Sequence, residues 1–274
     1  MNPAARAWFV ANAGPLAVDT ADAADVFRCP EVEAVYIAVP HDLHADLYVA
    51  AIRAGKHLFA EKPFGIDLSA AERIMTAIEE QPKSFVRCSS EFPFYPACRR
   101  LVQMIRAGAF GRIIEVEAGF LHSSDLDPGK PVNWKRRVAT CGEYGVMGDL
   151  GLHVLHVPLR FGWTPVSVHA VLSKIVAERP DGKGGRAPCE TWDNARLTCR
   201  VASPEGEFPM VLRMERIAPG ETDTWFLEVR GTRASARFTT KHPRTFAFME
   251  YTPGGEQAWK SVDTGYEPQV KTIT

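Results

Sequence analysis

The apolar run Ala34-Val35-Tyr36-Ile37-Ala38-Val39, stopped by Pro40, constrains this chain more than any other stretch. A short continuous run of this kind, rich in β-branched residues and ended by proline, reads as a buried strand of a parallel sheet. From Asp42 to Ala54 the positions Leu43, Leu47, Ala50, Ala51 and Ala54 recur at helical spacing, and Gly55 stands where a helix C-cap belongs. A second apolar strand, His57 to Ala60, then delivers Glu61-Lys62-Pro63 at its carboxyl end. Strand, crossover helix and strand make a right-handed βαβ unit, whose ligands sit beyond the strand C-termini. His41 to His44 and Glu61-Lys62 are therefore expected on one rim, in the geometry of an active site.

Around this unit the rest of the chain falls into place. Met1 to Asn12 reads as a short helical fragment, Ala17-Val18 as a short strand and Ala21 to Phe27 as a small helix. After Pro63, Ser69-Ala70-Ala71-Glu72 fits a capping box, with Asp67 as a second candidate cap, for a helix running to Glu80. A strand follows near Phe85 to Cys88, and a domain boundary is expected near Ser89-Ser90, dividing the chain into 1–90 and 91–274. Pro96 suits the first position of a helix that ends at Gly108. Gly111 to His122 reads as a long strand, Ser123 to Cys141 as a loop, and Gly148 to Phe161 as a helix. Alternating runs at 166–176, 195–201, 208–217, 225–229, 234–238 and 246–251 predict successive antiparallel strands. Helices on one face of such a sheet make an α+β domain.

Composition narrows the function. At 274 residues, 46% hydrophobic and 24% charged, the chain can bury one large core or two moderate ones. A formal net charge of −1 argues against nucleic-acid or membrane-surface partners. The six cysteines, with no C-x-x-C pairing or regular framework, suit free thiols in a reducing, cytoplasmic setting. No apolar run approaches the ~20 residues of a membrane span, and no signal-peptide pattern opens the chain.

A second chemical constellation is Gly148-Asp149-Leu150-Gly151-Leu152-His153. On a helix, Asp149 and His153 share a face, and a carboxylate beside an imidazole favours the imidazolium and orients the ring. Read alone, His153 is equally open to a role as a satisfied core histidine. Gly142, Gly145, Gly148 and Gly151 recur every third residue ahead of this helix. Without a strand feeding them, they suggest close backbone approach to a ligand or neighbouring chain more than a phosphate cradle. His41 and His44 lack the further ligands that zinc requires, so no metal is expected. His122, His169 and His242 carry no chemical reading.

AVYIAVPHDLH followed by AGKHLFAEKP resembles the Gfo/Idh/MocA family of NAD(P)-dependent oxidoreductases, whose Glu-Lys-Pro closes this same unit. The resemblance runs from about Asp25 to Phe248 and implies an α/β and α+β protein: a Rossmann-type dinucleotide-binding domain, then a domain with a large, mainly antiparallel sheet. It implies hydride transfer between NAD or NADP and a hydroxyl carbon of a sugar, cyclitol or related polyol. His153 would be the general base, with Asp149 its partner, and Lys62 would polarise the substrate oxygen and help place the nicotinamide. Glu61 and His44 would contact the nicotinamide ribose, while Ala38, Val39 and Pro40 pack against the cofactor. Trp134 and Lys135 would reach in from their loop. Many relatives carry an aspartate where this chain has His156. A homo-oligomer formed through the C-terminal sheet is a further family expectation.

No G-x-G-x-x-G precedes Val35, so the resemblance also implies that the first βαβ unit is missing and that a helical segment would follow Thr274. On this reading the Rossmann domain is incomplete. Two alternatives accordingly stand beside the dehydrogenase: a non-catalytic truncated product that cannot hold the dinucleotide, and NAD-assisted glycoside cleavage on the same fold.

Overall fold

The apolar run forms the edge of a parallel sheet. In the computed structural model, which describes residues 3–265, β1 (Ala34–Ile37) pairs in parallel with β2 (His57–Ala60), and β2 with β3 (Val86–Cys88). Ahead of them lie α1 (Pro3–Asn12) and α2 (Ala23–Arg28). Met1 and Asn2 of the expected N-terminal helix lie outside the described residues, as does the C-terminal end of the 91–274 domain. Ala17-Val18 is irregular rather than a strand, and next to it Asp19 pairs with Arg6 at 2.6 Å.

Between β1 and β2 the chain takes a 3-10 turn, His41–Leu43, and then α3 (His44–Arg53). The helix ends in a Gly55 turn, where the amide of Lys56 returns to the carbonyl of Ala51 at 3.1 Å. The next helix, α4 (Leu68–Glu80), is capped by Asp67, whose carboxylate accepts from the amide of Ala70 at 2.7 Å. The capping-box expectation at Ser69 is corrected: Ser69 already lies within the first turn, and the extended backbone of Asp67 aims its side chain at the unsatisfied amides.

Burial alternates along these strands. Val35, Ile37, Leu58 and Ala60 form a core with Tyr48 and Ile52 of α3 and Ile74 of α4. Tyr36 and Phe59 point the other way, 58% and 52% exposed, with ring centroids 5.5 Å apart. Alternation along each strand sends every second side chain away from the helices, so only one face of the sheet is packed by the described residues.

The chain divides into two units. One runs to Ser89 and takes in Ala139–Gly142; the other holds Ser90–Val138 and resumes at Glu143. The second unit begins with α5 (Pro96–Arg106) and β4 (Ile113–Leu121). The short helix α6 (Val138–Cys141), which after its first residue belongs to the first unit, comes next in the chain, and α7 (Val146–Arg160) follows in the second. The remaining strands are β5 (Pro165–Ser173), β6 (Glu178–Pro180), β7 (Arg186–Pro188), β8 (Asn194–Ser203), β9 (Gly206–Glu215), β10 (Thr224–Gly231), β11 (Ala234–Thr239), β12 (Thr245–Glu250) and β13 (Lys260–Asp263).

Eight of these strands form one sheet in the order β13-β12-β11-β10-β4-β9-β8-β5. Every pairing is antiparallel except β4 with β9, which is parallel. The early strand β4 thus sits in the middle of the later ones. Its residues Val116, Ala118 and Phe120 join Leu212, Met214, Trp225 and Leu227 in a core with Leu150, Val154 and Val157 of α7. The β6/β7 hairpin and β13 were not expected, because their three or four residues carry no sustained alternation. The strand expected over 166–176 stops at Ser173, since the amides of Ile175 and Val176 donate to the Asp193 carboxylate at 2.7 and 3.0 Å instead of to a ladder. Among the described residues, no helix is long and apolar enough to cross a membrane.

Trp225 couples this sheet to α7. It is fully buried, stacks on Phe92 at 5.4 Å, and donates its indole N–H to the carbonyl of His153 at 2.9 Å. Trp225→Ala is expected to lower the unfolding free energy by about 3–5 kcal/mol in denaturant titration. Trp225→Phe, which keeps most of the packing and loses the donor, should cost about 1–2 kcal/mol.

Candidate active site

The rim of the parallel sheet is fastened by the first turn of α3. His44 is fully buried, and its two ring nitrogens face the carbonyls of Pro63 and Val39 at 2.8 and 2.9 Å. One helical turn on, Tyr48 stacks on His44 at 4.9 Å and donates its hydroxyl to the carbonyl of Glu61 at 2.8 Å. Burial pushes the Tyr48 phenol upward, which keeps it a donor. The imidazole thus links the end of β1 to the Glu61-Lys62-Pro63 segment. His41, also buried, has Nδ1 3.5 Å from the carbonyl of Cys141.

Above this clamp Ala38 is exposed, and Val39, Pro40, Glu61 and Lys62 are half-buried. Glu61 accepts from the Tyr36 hydroxyl at 2.6 Å and from the amide of Lys62 at 3.2 Å. Partial burial works against its ionisation, but the hydrogen bonds from Tyr36, Ser89 and the Lys62 amide outweigh it and hold the carboxyl below its usual range. The same bond pushes the Tyr36 phenol up to about 12. A partly exposed carboxylate at the C-terminal rim of parallel strands is an acceptor suited to the hydroxyls of a ribose. The residues present thus fit the nicotinamide-riboside half of a dinucleotide.

In the second unit, α7 carries both members of the Asp-x-x-x-His pair on its buried face. Asp149 is 1% exposed, and its Oδ2 accepts from Arg216 Nη2 at 2.9 Å and from Lys135 Nζ at 3.1 Å. His153 sits among aromatic edges, 5.1 Å from Phe92 and 5.4 Å from Phe120 by ring centroid, with the Ser90 hydroxyl 3.5 Å from Nδ1. Trp134 and Lys135 lie on a 3-10 turn, Trp134–Arg136, capped by the Asn133 side chain on the Lys135 amide at 3.0 Å. The Lys135 ammonium lies 5.6 Å from the Trp134 ring.

That turn is held by buried charge. Arg136 pairs with Asp125 and, at 2.9 Å, with Asp193. Burial, followed by the nearby Arg216, brings the Arg136 guanidinium down to about 10. The Thr191 hydroxyl donates to the carbonyl of Lys135 at 2.9 Å, and the Glu190 amide to that of Arg136 at 2.8 Å. Arg179 gathers the carbonyls of Asp125 and Asp127 at 2.5 and 2.6 Å, which secures the start of the same loop.

Arg216 and His122 were not singled out by the sequence. Arg216 follows β9 outside any motif; only the sheet brings it to Asp149. His122 pairs with Asp223 at 2.9 Å and shares the Phe120 ring with His153, at 4.3 Å between centroids. Burial holds its imidazole below the ordinary range; Asp223 and Asp149 push upward, while Lys135 and Arg216 push downward.

The glycine series makes close approaches within the chain. A Cβ on Gly142, at φ 86°, would lie 2.8 Å from the carbonyl of Ile66, and one on Gly145, at φ 52°, would lie 2.9 Å from the Thr191 side chain. Gly151 faces the Met214 sulfur.

Residues 3–87 match the model described as "Oxidoreductase family, NAD-binding Rossmann fold", and residues 98–237 match the "GFO/IDH/MocA C-terminal domain". Over 233 residues the chain is 28% identical to a levoglucosan dehydrogenase of Pseudarthrobacter phenanthrenivorans, covering 80% of this chain and 58% of that protein. It is likewise 28% identical over 243 residues to an inositol 2-dehydrogenase of Rhizobium meliloti, covering 87% and 66%. A solved levoglucosan dehydrogenase in complex with NADH and L-sorbose superposes with a TM-score of 0.82 at 26% identity, over 90% of this chain and 64% of that one. The chain therefore spans about three fifths of the length of these relatives.

Two outcomes follow for the charged scaffold. Asp193→Ala should cost about 3–5 kcal/mol by denaturant titration, because it strips a buried arginine of its partner and two amides of their acceptor. His156 is the second case: burial, then Arg160, lowers its imidazole to about 4. As pH falls from about 6.5 the unfolded chain binds the proton first, so stability present above 6.5 is lost toward pH 4. His156→Gln should flatten this limb of a melting-versus-pH series by on the order of 1–2 kcal/mol, allowing for solvent screening of the half-buried ring.

Proposed function

The chain belongs to the Gfo/Idh/MocA oxidoreductase family, and on that premise we propose that it serves hydride transfer between NAD(P) and a hydroxyl carbon of a sugar, cyclitol or related polyol. The observation that carries the reading is Asp149, buried on α7 beside two cations and one turn from His153. Relatives named as levoglucosan and inositol dehydrogenases support the substrate class and favour alcohol oxidation over glycoside cleavage.

Oxidising a secondary alcohol removes a hydride from carbon and a proton from oxygen. A bound nicotinamide would supply the hydride acceptor, which leaves the proton to this chain. His153 takes it as general base and returns it as general acid in reduction. Asp149 holds a fixed negative charge that favours the imidazolium once formed. Lys62 donates to the substrate oxygen and favours its alkoxide character as the proton leaves. Glu61 receives ribose hydroxyls, Ala38, Val39 and Pro40 offer the packing surface at the strand ends, and Trp134 and Lys135 complete the contacts from their loop. The aromatic walls around His153, Phe92 and Phe120, lower the local dielectric and strengthen each of these charge effects.

Apolar side chains stand exposed along β4 and β5, Ile114, Val166, Val168 and Val171 each being at least 50% accessible, which supports association of copies through this sheet. Six free thiols support a reducing, cytoplasmic setting.

The test is a nicotinamide fluorescence titration of the chain with NADH and then NADPH, followed by turnover against a panel of polyols. Saturable micromolar binding and cofactor reduction are expected. Lys62→Ala and His153→Ala should each lower kcat by at least about 10²-fold while melting cooperatively. Undiminished turnover in both variants, or no cofactor reduction with any polyol, would contradict the reading.

A further inference from the structure

We propose that Arg216 is a positioning residue for the Asp149–His153 pair, an assignment that rests on the oxidoreductase reading above. Its guanidinium fixes the Asp149 carboxylate on the buried face of α7 and carries the balancing charge, which leaves the Lys135 ammonium exchangeable.

The geometry separates the two cations. Arg216 and Asp149 have side chains only 3% and 2% exposed, whereas Lys135 is 37% exposed. Both cations meet the same oxygen, Asp149 Oδ2, at 2.9 and 3.1 Å. Attraction between charges grows as water is excluded, so the arginine bond is the stronger of the two. When Lys135 turns toward a ligand, Asp149 keeps a counter-ion, and the cost of an unpaired buried carboxylate is avoided. Two cations on one carboxylate thus divide into a permanent partner and a movable one.

Arg216 is itself anchored on both sides. Its amide donates to the carbonyl of Asp193 at 3.1 Å, and its carbonyl accepts from the amide of Asp125 at 3.4 Å. These are the two residues whose carboxylates hold Arg136. The second arm of the guanidinium, Nη1, reaches the carbonyl of Lys135 at 3.4 Å. One planar fork therefore links the end of β9, the Lys135 turn and α7, a geometry that an ammonium cannot fully reproduce. Through it the spacing between the movable cation and the proton-transfer pair is set by covalent structure and buried hydrogen bonds.

The charged and titratable groups that bear on this cluster are Asp149, Lys135, Arg216, His122 and Asp223. The test is a pH titration of the His153 and His122 rings by nitrogen-15 NMR of the folded chain. The wild type is compared with Arg216→Met, Arg216→Lys, Asp149→Asn and the Asp149→Asn/Arg216→Met double variant. Arg216→Met should raise the His153 midpoint by about one pH unit, because Asp149 loses its fixed partner and its charge turns toward the ring. Arg216→Lys should recover most of the wild-type value. In the Asp149→Asn background, the Arg216→Met shift should largely vanish. NAD-linked kcat should fall at least about tenfold in Arg216→Met with KM little changed, and recover in part in Arg216→Lys.

A His153 midpoint unmoved in folded Arg216→Met would overturn the proposal. So would an equal shift in the Asp149→Asn background, since Arg216 would then act on the rings directly. If Arg216→Met does not fold, Arg216→Lys with and without Asp149→Asn decides by the same comparison, a smaller shift of the same sign being expected. A wild-type chain with no turnover would sink the oxidoreductase reading, while the titrations would still judge Arg216.

Discussion

A carboxylate removed from water must be matched by positive charge, and the second unit is built around that requirement at Asp149. Two cations reach its Oδ2, one buried and one half-exposed. The pairing is costly to assemble and more costly to leave incomplete, so the surrounding structure over-determines it. Arg136, with Asp125 and Asp193, repeats the device one layer away and holds the turn that presents Lys135. Trp225 completes the support by donating to the carbonyl of His153 on the same helix. The buried charge around Asp149 is thus drawn from the residue before β8, the end of β9 and the loop after β4.

The first unit uses hydrogen bonds from side chains to backbone for the corresponding task. His44 and Tyr48, one turn apart on α3, hold the carbonyls of Val39, Pro63 and Glu61. Backbone beyond a strand end has lost its ladder partners, and these side chains supply replacements. The rim is thereby fixed from beneath, while Glu61 and Lys62 keep partly exposed faces for a ligand.

Local pattern made much of this legible. The parallel βαβ unit follows from an apolar run, a helical period and two apolar strand segments, and the pairing of β1 with β2 comes in that order. The Asp149 and His153 spacing was readable because a helix turns every 3.6 residues. What escaped the sequence depends on distant chain. Arg216 meets a carboxylate 67 positions away through the register of an eight-stranded sheet, and β4 pairs in parallel with a strand that comes far later. No local period encodes either contact. His44 shows the converse limit: its motif position was plain, but the two backbone carbonyls its ring meets come from separate segments that no local period joins.

The central claim is that this scaffold serves removal of a hydride and a proton from one carbinol. The most direct measurement follows a polyol deuterated at the reacting carbon, incubated with the chain and NAD, by mass spectrometry of the reduced cofactor. The account predicts deuterium on the nicotinamide ring in step with ketone formation. Cofactor reduced without deuterium, or polyol converted with no label transferred, would contradict it.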